Sequence, residues 1–421
     1  MTSIVRIVAR EVLDSRGQPT VEAEVHTSDG HSGRAIVPSG ASTGQAEASE
    51  LRDLGSPRYD GRGVLQAIAN IRDSIAPAVL GCDVVDQVAL DRRLLALDDS
   101  PRKTTLGGNA LLAVSLAAAH AGAAVKRVPL FRHLHDVLKQ IDPAAPPPAM
   151  CRPMVNMISG GLHAGGNIDF QDFLIIPHAA PDYATALEQS VRIYRRLGDL
   201  LAERGYEGRL VGDEGGYGPR LPNNELAAEF VVRAIEAAGL RPGADVSLAV
   251  DVASSHFYDG SNYCLAATGR QAMPVAQWID YLASLVDRYP IVSLEDPLAE
   301  EDWDGWRQIT ARVGRRVRLV GDDLFTTSAE RLKRGVQLGA ANSILIKVNQ
   351  IGTLTEALET VALARHSGYG YVVSARSGET EDTTVADLAV ATAAEHIKIG
   401  SIVRSERLAK YNRLLRINEL L

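Results

Sequence analysis

The heptapeptide IVSLEDP, Ile291–Pro297, decides the fold of this chain. It opens with a short apolar, largely β-branched run, too short for a helix, that leads directly into Glu295 and Asp296. A buried parallel strand delivers acidic side chains to its C-terminal end in this way. The heptapeptide therefore predicts a strand that carries Glu295 into a functional site.

Further runs in the second half of the chain are built in the same way. Each is short and apolar and ends at a charged residue: Asp251, Asp322, Lys347, Arg376 and Lys398. The charged ends follow one another at intervals of roughly two to four dozen residues, the length of a strand, a loop and a helix in a (β/α)8 barrel. All strands of such a barrel end at one rim, so we predict an α/β fold in which acids, lysines and an arginine meet.

The length of 421 residues exceeds the usual size of a single hydrophobic core, which predicts two domains. The segment Asp142–Ala149 contains consecutive prolines, which exclude a helix or a central strand and stiffen the chain. We therefore predict an N-terminal domain over residues 1–142 and a barrel over residues 143–421.

The composition predicts the surroundings in which the protein works. A net charge of −8 and the lack of a basic run with interleaved aromatic residues argue against nucleic acid as a partner. No apolar run approaches the roughly 20 residues that span a membrane, and the start of the chain reads as a strand rather than as a leader. The three scattered cysteines form no CxxC motif. We expect a soluble, cytoplasmic protein with reduced thiols and no membrane contact.

The N-terminal part carries three local signals. Asp14–Gly17 separates two alternating segments and predicts an antiparallel hairpin. Asn109–Val125 is rich in alanine and leucine and predicts a core helix capped by Asn109. Val37–Gly44 is a small-residue loop rich in hydroxyl groups, and it is either a surface turn or a mobile lid that brings Ser42 to an anion or a metal.

The acids favour a divalent metal ion. Asp251, Glu295 and Asp322 offer hard oxygen ligands from separate strands without a cysteine or histidine cluster, which suits Mg²⁺ or Mn²⁺ better than Zn²⁺. Each acid alone could also be a helix cap or half of a loop ion pair. Their repetition at one end of a barrel, where active sites of this architecture lie, favours the metal.

Basic residues and a glycine-flanked acid add a candidate base, a candidate acid and candidate phosphate-binding groups to the metal ligands. Lys347 leaves an apolar strand, where the pKa of an amine can fall far enough to make it a base, although a lysine that reaches from the rim into solvent would look the same. Glu214 lies in a glycine-rich turn and is the candidate acid, while Arg376 and Ser377 could hold a phosphate. This set predicts removal of a proton next to a carboxylate and loss of a β leaving group.

The sequence also resembles the enolase family over nearly its whole length. The segments that carry the resemblance are VPSGASTG (Val37–Gly44), GDEGG (Gly212–Gly216), SLEDP (Ser293–Pro297), GDDL (Gly321–Leu324), KVNQIGT (Lys347–Thr353) and RSGETED (Arg376–Asp382). The resemblance implies an N-terminal α+β domain that caps a modified (β/α)8 barrel of the enolase type. It also implies a homodimer or a larger assembly of dimers, and a lyase with two Mg²⁺ ions per active site, for which Mn²⁺ can substitute.

The resemblance further implies roles for individual residues. It makes Lys347 the base and Glu214 the acid. The metal ligands by position are Asp251, Glu295, Asp322 and, in the mobile loop 37–44, Ser42. The residues around the substrate are His163, Gln171, Asp172, Arg376, Ser377 and Lys398.

Two departures from the family pattern matter, beside smaller ones at Ser159 and His256. Ala375 stands where enolases have histidine and Asp172 where they have glutamate, so two side chains at the substrate pocket are shortened. Because truncated polar groups in a preorganised site cost orders of magnitude in rate, we predict the same β-elimination on a different or larger substrate. The expected enzyme is similar to carboxyphosphonoenolpyruvate synthase of phosphinate antibiotic biosynthesis and takes a small phosphorylated or phosphonylated carboxylate.

Two alternatives stay open. The chain could be an ordinary glycolytic enolase that converts 2-phosphoglycerate to phosphoenolpyruvate and water, with both changes due to drift. It could also be an enolase-derived scaffold or binding protein without activity. Against the scaffold, a protein without catalysis has no physical need to keep like charges buried together.

Overall fold

The computed structural model describes residues 2–41, 43–269 and 272–421. A three-stranded antiparallel sheet with its helices forms the N-terminal part, and a closed barrel surrounded by helices forms the remainder. The α/β barrel predicted from the charged strand ends is confirmed.

The N-terminal sheet begins with the predicted hairpin. Its strands are β1 (Ile4–Leu13), β2 (Pro19–Thr27) and β3 (Ser32–Ile36). Asp14 holds the turn, because its Oδ1 accepts hydrogen bonds from the backbone N–H groups of Arg16 and Gln18, both at 2.8 Å. Gly17 supplies the positive φ of 69° that the turn requires.

Helix α4 is the centre of the N-terminal part. The helices here are α1 (Leu65–Asn70), α2 (Ala76–Val79), α3 (Gln87–Leu95), α4 (Gly108–Lys126) and α5 (Leu130–Ile141). Gly33 allows α4 to lie close to the sheet, since a Cβ at that position would overlap the helix backbone at Ala117 and Ala121. By length and composition α4 could cross a membrane, contrary to the expectation from sequence. However, 83% of its apolar window is buried inside the protein, as in a core helix.

The predicted cap of this helix is wrong. Helix α4 begins at Gly108, and Gly107 occupies the N-cap position. The side chain of Asn109 instead exchanges two hydrogen bonds with the backbone of Leu51, both at 3.1 Å. A partner distant in sequence therefore takes the polar group that the local pattern assigned to the cap.

The barrel departs from a plain βα repeat at one strand. Its strands are β4 (Arg152–Ser159), β5 (Asp172–Ile176), β6 (Ser247–Asp251), β9 (Ile291–Glu295), β10 (Arg318–Gly321), β11 (Ser343–Ile346), β12 (Gly370–Ser374) and β13 (His396–Gly400), and a short ribbon of β7 (Asn262–Tyr263) and β8 (Met273–Pro274) lies outside it. Strand β5 runs antiparallel to both β4 and β6, whereas the other pairs in the barrel are parallel. The connection from β4 to β5 holds no crossover helix of the kind that a parallel pair needs.

Apolar side chains separate the two ends of the barrel. They are Met154, Leu174, Ile176, Ala249, Val320, Leu345 and Val372. The helices of this part are α6 (Tyr183–Glu203), α7 (Asn224–Ala237), α8 (Val275–Arg288), α9 (Trp303–Val313), α10 (Ala329–Leu338), α11 (Leu354–His366), α12 (Thr384–Ala391) and α13 (Ser405–Asn418). The C-terminal and N-terminal mouths of the barrel are thus distinct polar environments.

Candidate active site

The three acids predicted to bind metal lie together at the C-terminal rim of the barrel. Asp251 and Glu295 are the last residues of β6 and β9 and stand opposite each other in register. Asp322 follows β10 directly, and all three side chains are buried. Parallel strands that end in carboxylates produce this meeting, as the sequence pattern indicated.

Two lysines compensate these carboxylates. The Nζ atom of Lys398 lies 2.7 Å from Asp251 Oδ2 and 2.8 Å from both carboxylate oxygens of Glu295. Lys347 forms an ion pair with Asp322, whose other oxygen accepts a hydrogen bond from Gln350 Nε2 at 2.8 Å. Each of the three acids predicted to bind metal therefore contacts an ammonium group in this structure.

The ion pairs set the protonation of the rim. Burial disfavours the charge on Asp251, but Lys398 outweighs it and lowers the pKa of Asp251. Burial, with the nearby charge of Asp251, instead raises the pKa of Glu295 well above its ordinary value. Three buried carboxylates at the rim thus face two lysines, and Glu295 is the carboxylate whose protonated form its surroundings favour.

The expected low pKa of Lys347 is not what the structure shows. Burial lowers the pKa of this amine, as the apolar strand suggested, but the carboxylates of Asp322 and Glu295 oppose burial and the net pKa is raised. The sequence displays the apolar strand and not the acid that meets the lysine across the rim. To act as a base, Lys347 must first lose its proton and its contact with Asp322.

A second group of ionisable residues lies beside the first. The Nδ1 atom of His163 is 2.8 Å from Asp172 Oδ2, and its Nε2 atom is 4.0 Å from Glu214 Oε1. Asn156 donates to the other oxygen of Asp172. Burial lowers the pKa of His163, but Asp172 and Glu214 outweigh burial and raise it to about 9. The imidazole is therefore charged at neutral pH.

Glu214 is held ionised by its neighbours. Burial opposes the charge of this carboxylate, but His163 and then Arg407 outweigh burial, so the pKa of Glu214 is lowered. Its Oε2 atom is buried without a hydrogen-bond partner among the described residues. A general acid needs a proton, so Glu214 would gain one only when a further negative charge enters the site.

The N-terminal part of the chain reaches the site through the glutamate at position 47. Both oxygens of Glu47 accept from Arg376, at 3.0 and 3.2 Å, and Oε1 also accepts from Gln350 at 3.2 Å. Ser377 Oγ accepts from the backbone N–H of Ala41 at 2.7 Å. Ser42, the predicted ligand in the loop, lies outside the described residues. Sequence reasoning missed Glu47 and Gln350, and only the position of Gln350 inside the motif KVNQIGT pointed to it.

A small cavity opens between these groups. Its lining residues are His163, Gln171, Glu214, Asp251, Lys347, Ser374, Ala375, Arg376, Ser377 and Lys398. Most of the predicted catalytic and substrate residues thus surround one space, and Ala375 forms part of its wall. Asp172 is not among the lining residues and acts on the cavity through His163.

The donor set is made of carboxylate oxygens, which by their chemistry fit a hard divalent cation. Among the described residues, two groups have possible metal-ligand atoms within 4.8 Å of one another. The first group is Asp296, Asp322 and Asp323, and the second is His163, Asp172 and Glu214. The predicted ligands Asp251, Glu295 and Asp322 do not form such a group. In the first group, Asp296 accepts the backbone N–H groups of Asp322 and Asp323 at 2.9 and 2.8 Å, which shapes the turn that presents Asp322. The carboxylate oxygens of Asp251, Glu295 and Asp322 are ligands of the hard type that Mg²⁺ prefers.

The fold and the site together define a barrel protein whose acids and lysines gather at the C-terminal rim. A family model described as the enolase N-terminal domain matches residues 4–134, and a model described as the enolase C-terminal TIM barrel domain matches residues 148–421. The chain belongs to the enolase family.

Proposed function

We propose that this protein is a Mg²⁺-dependent lyase that performs an enolase-type β-elimination on a 2-phosphoglycerate-like substrate with a larger acidic group at phosphorus. Its product resembles phosphoenolpyruvate, as in carboxyphosphonoenolpyruvate synthase. The observation that carries the proposal is the position of Ala375 in the cavity wall, between Ser374 and Arg376. A methyl group at this position takes up less of the cavity than an imidazole would.

The chain's own residues supply the proton transfers. Lys347 removes the proton next to the substrate carboxylate once its contact with Asp322 is released, and Glu214 donates a proton to the departing β group. Asp251, Glu295 and Asp322 would hold Mg²⁺, which would compensate the negative charge that develops on the substrate carboxylate. The negative substrate also raises the pKa of the neighbouring Glu214 toward the protonated form.

Cationic and hydroxyl groups match an anionic substrate. Arg376, Lys398 and the charged His163 line the cavity, and Ser377 adds a hydroxyl group. Gln171 Oε1 is buried without a hydrogen-bond partner among the described residues, and a buried acceptor of this kind favours a ligand that donates to it. Two or more negative groups on one small substrate suit this lining.

Ordinary glycolytic enolase activity is the second candidate, and the contact of Asp172 favours it. Although shorter than glutamate, Asp172 still reaches His163 at 2.8 Å, so this departure alone leaves the histidine positioned. On this reading the site accepts 2-phosphoglycerate itself, and Ala375 is a tolerated change.

The two candidates differ in substrate preference. We would measure kcat/KM of the wild-type protein with saturating Mg²⁺ on 2-phosphoglycerate and on its carboxyphosphono analogue, with Lys347→Ala and Glu214→Gln as catalytic controls. The proposal expects preference for the analogue and at least a hundredfold loss in both controls, about the range of general acid–base catalysis. Preference for 2-phosphoglycerate would support glycolytic activity, and no turnover of either compound would refute both.

A further inference from the structure

A second, larger cavity lies at the opposite mouth of the barrel. Its volume is about 460 Å³, and it lies around the N-terminal ends of the strands, at residues such as Ser247, Ser343 and Tyr371. The apolar side chains that fill the barrel, Leu174 and Val320 among them, separate it from the candidate active site. We call this space the basal cavity.

The basal cavity is basic in an acidic protein. Its charged and titratable lining residues are Arg152, His178, Arg315, Arg316, Arg318, Glu395 and His396. The whole chain carries a net charge of −8, so four arginines against one glutamate form a local reversal of sign. An anion in solution would be drawn to this mouth of the barrel.

Two of the arginines are free to bind a ligand. Arg318 pairs with Glu395 at 2.7 Å, and Arg316 with Asp287 at 2.6 Å. The exposed guanidinium groups of Arg152 and Arg315 have no hydrogen bond or ion pair within the described parts of the chain. Their N–H donors are therefore available to a ligand from solution. Phosphate is a suitable one, because a guanidinium group can contact two phosphate oxygens at once.

His396 lines the cavity and lies within reach of several of these charges. Burial lowers the pKa of His396 to about 4; Glu395 opposes this shift, and the weaker effects of Arg152, Arg318 and His178 add to it. Gly370 allows Ser343 and Arg318 to lie close to its backbone, since a Cβ there would overlap Ser343 Oγ and lie 3.0 Å from Arg318 Nη1. Charged side chains from several strands and loops thus surround the basal cavity.

We propose that the basal cavity binds a small anion with two or more adjacent charges, of the oligophosphate class, through Arg152 and Arg315. This site is separate from the catalytic cavity and from the substrate proposed above. The apolar floor residues Met154, Ile176 and Val372 would contact an organic group attached to the phosphates.

Isothermal titration of the full chain with inorganic triphosphate, in low salt and without divalent cations, tests this site. We expect saturable binding that weakens roughly tenfold or more in Arg152→Glu/Arg315→Glu, because two charge-assisted contacts become repulsive. The matched control is Arg6→Glu/Arg220→Glu, which makes the same charge change at exposed positions outside the cavity and should bind as the wild type does. Turnover at the catalytic site should be unchanged in both variants.

A parallel titration with ATP distinguishes the sources of the phosphate. Tighter binding of ATP than of triphosphate means that the apolar floor also holds a nucleoside, and equal binding means that the phosphates alone are recognised. The proposal is overturned if triphosphate does not saturate the wild type, or if Arg152→Glu/Arg315→Glu binds it with unchanged affinity.

Discussion

Lys398 is the residue on which the balance of charge at the rim depends most. It is 5% exposed and contacts Asp251 and Glu295 at once. Removal of one partner from a buried ion pair leaves uncompensated charge, which typically costs about 3–5 kcal/mol. A lysine in this position stabilises the metal-free protein as well as lining the cavity.

We therefore predict that Lys398→Met lowers the free energy of unfolding by about 3–5 kcal/mol in the absence of divalent cations. Mg²⁺ should restore more stability to this variant than to the wild type, because the carboxylates are then free of the lysine. Urea unfolding with and without Mg²⁺ measures both effects. Lys333→Met, at an exposed position on α10, is the control and should change stability by less than about 0.5 kcal/mol. A loss in Lys398→Met no larger than in the control would contradict the account.

His163 should make the free energy of unfolding of the metal-free protein fall as the pH rises. Its pKa is raised from 6.5 to about 9, so the folded state holds the proton more tightly than the unfolded state. The stabilisation is complete below pH 6.5 and is lost as the pH rises through about 9. We predict that the stability difference between wild type and His163→Gln shrinks over this range. Urea unfolding at a series of pH values measures it, and a difference that stays constant would argue against a charged His163.

At the scale of elements, the sequence predicts best what depends on neighbouring residues. The strand before Glu295 and the turn at Asp14 follow from local periodicity and turn chemistry, and both are present. The antiparallel direction of β5, the partner of Asn109 and the raised pKa of Lys347 depend on contacts distant in sequence. A single sequence does not display these contacts, so the strand ends that bring Asp251, Glu295 and Asp322 together were predictable while their protonation was not.

The link between Asn109 and Leu51 gives a prediction at this scale. Asn109→Ala removes both hydrogen bonds and leaves the backbone groups of Leu51 unpaired, which should cost about 1–3 kcal/mol. Thermal or urea unfolding measures the loss. Asn412→Ala, at an exposed position on α13, is the matched control. Equal stability of the two variants would show that the hydrogen bonds between Asn109 and Leu51 do not stabilise the fold.

At the scale of the molecule, the candidate site is completed by both parts of the chain. Glu47 precedes the barrel and holds Arg376 and Gln350, and Ala41 donates to Ser377. The domain boundary near Asp142, the homodimer and the cytoplasmic location stay predictions. Site assembly from two parts means that substitutions outside the barrel should alter catalysis.

Glu47→Gln tests this assembly. The charge that orients Arg376 is lost while the shape of the side chain is kept, so kcat/KM should fall roughly 10- to 100-fold, as for a lost hydrogen bond to a charged group. Steady-state kinetics measures the change. Glu24→Gln, on β2 and paired with the exposed Arg10 instead, should stay within about threefold of the wild type. An unchanged kcat/KM in Glu47→Gln would mean that the contact of Glu47 with Arg376 does not affect catalysis.

The central claim is that Ala375 sets the substrate of an otherwise intact enolase-type site, and the most direct measurement is the ratio of kcat/KM for the carboxyphosphono analogue to that for 2-phosphoglycerate. We predict that Ala375→His lowers this ratio at least roughly tenfold, because the imidazole fills the space for the larger group and restores a polar contact to the smaller one. Ala375→Val, which fills space without a polar group, should lower turnover of the analogue without raising that of 2-phosphoglycerate. The same ratio in wild type and Ala375→His would contradict the claim.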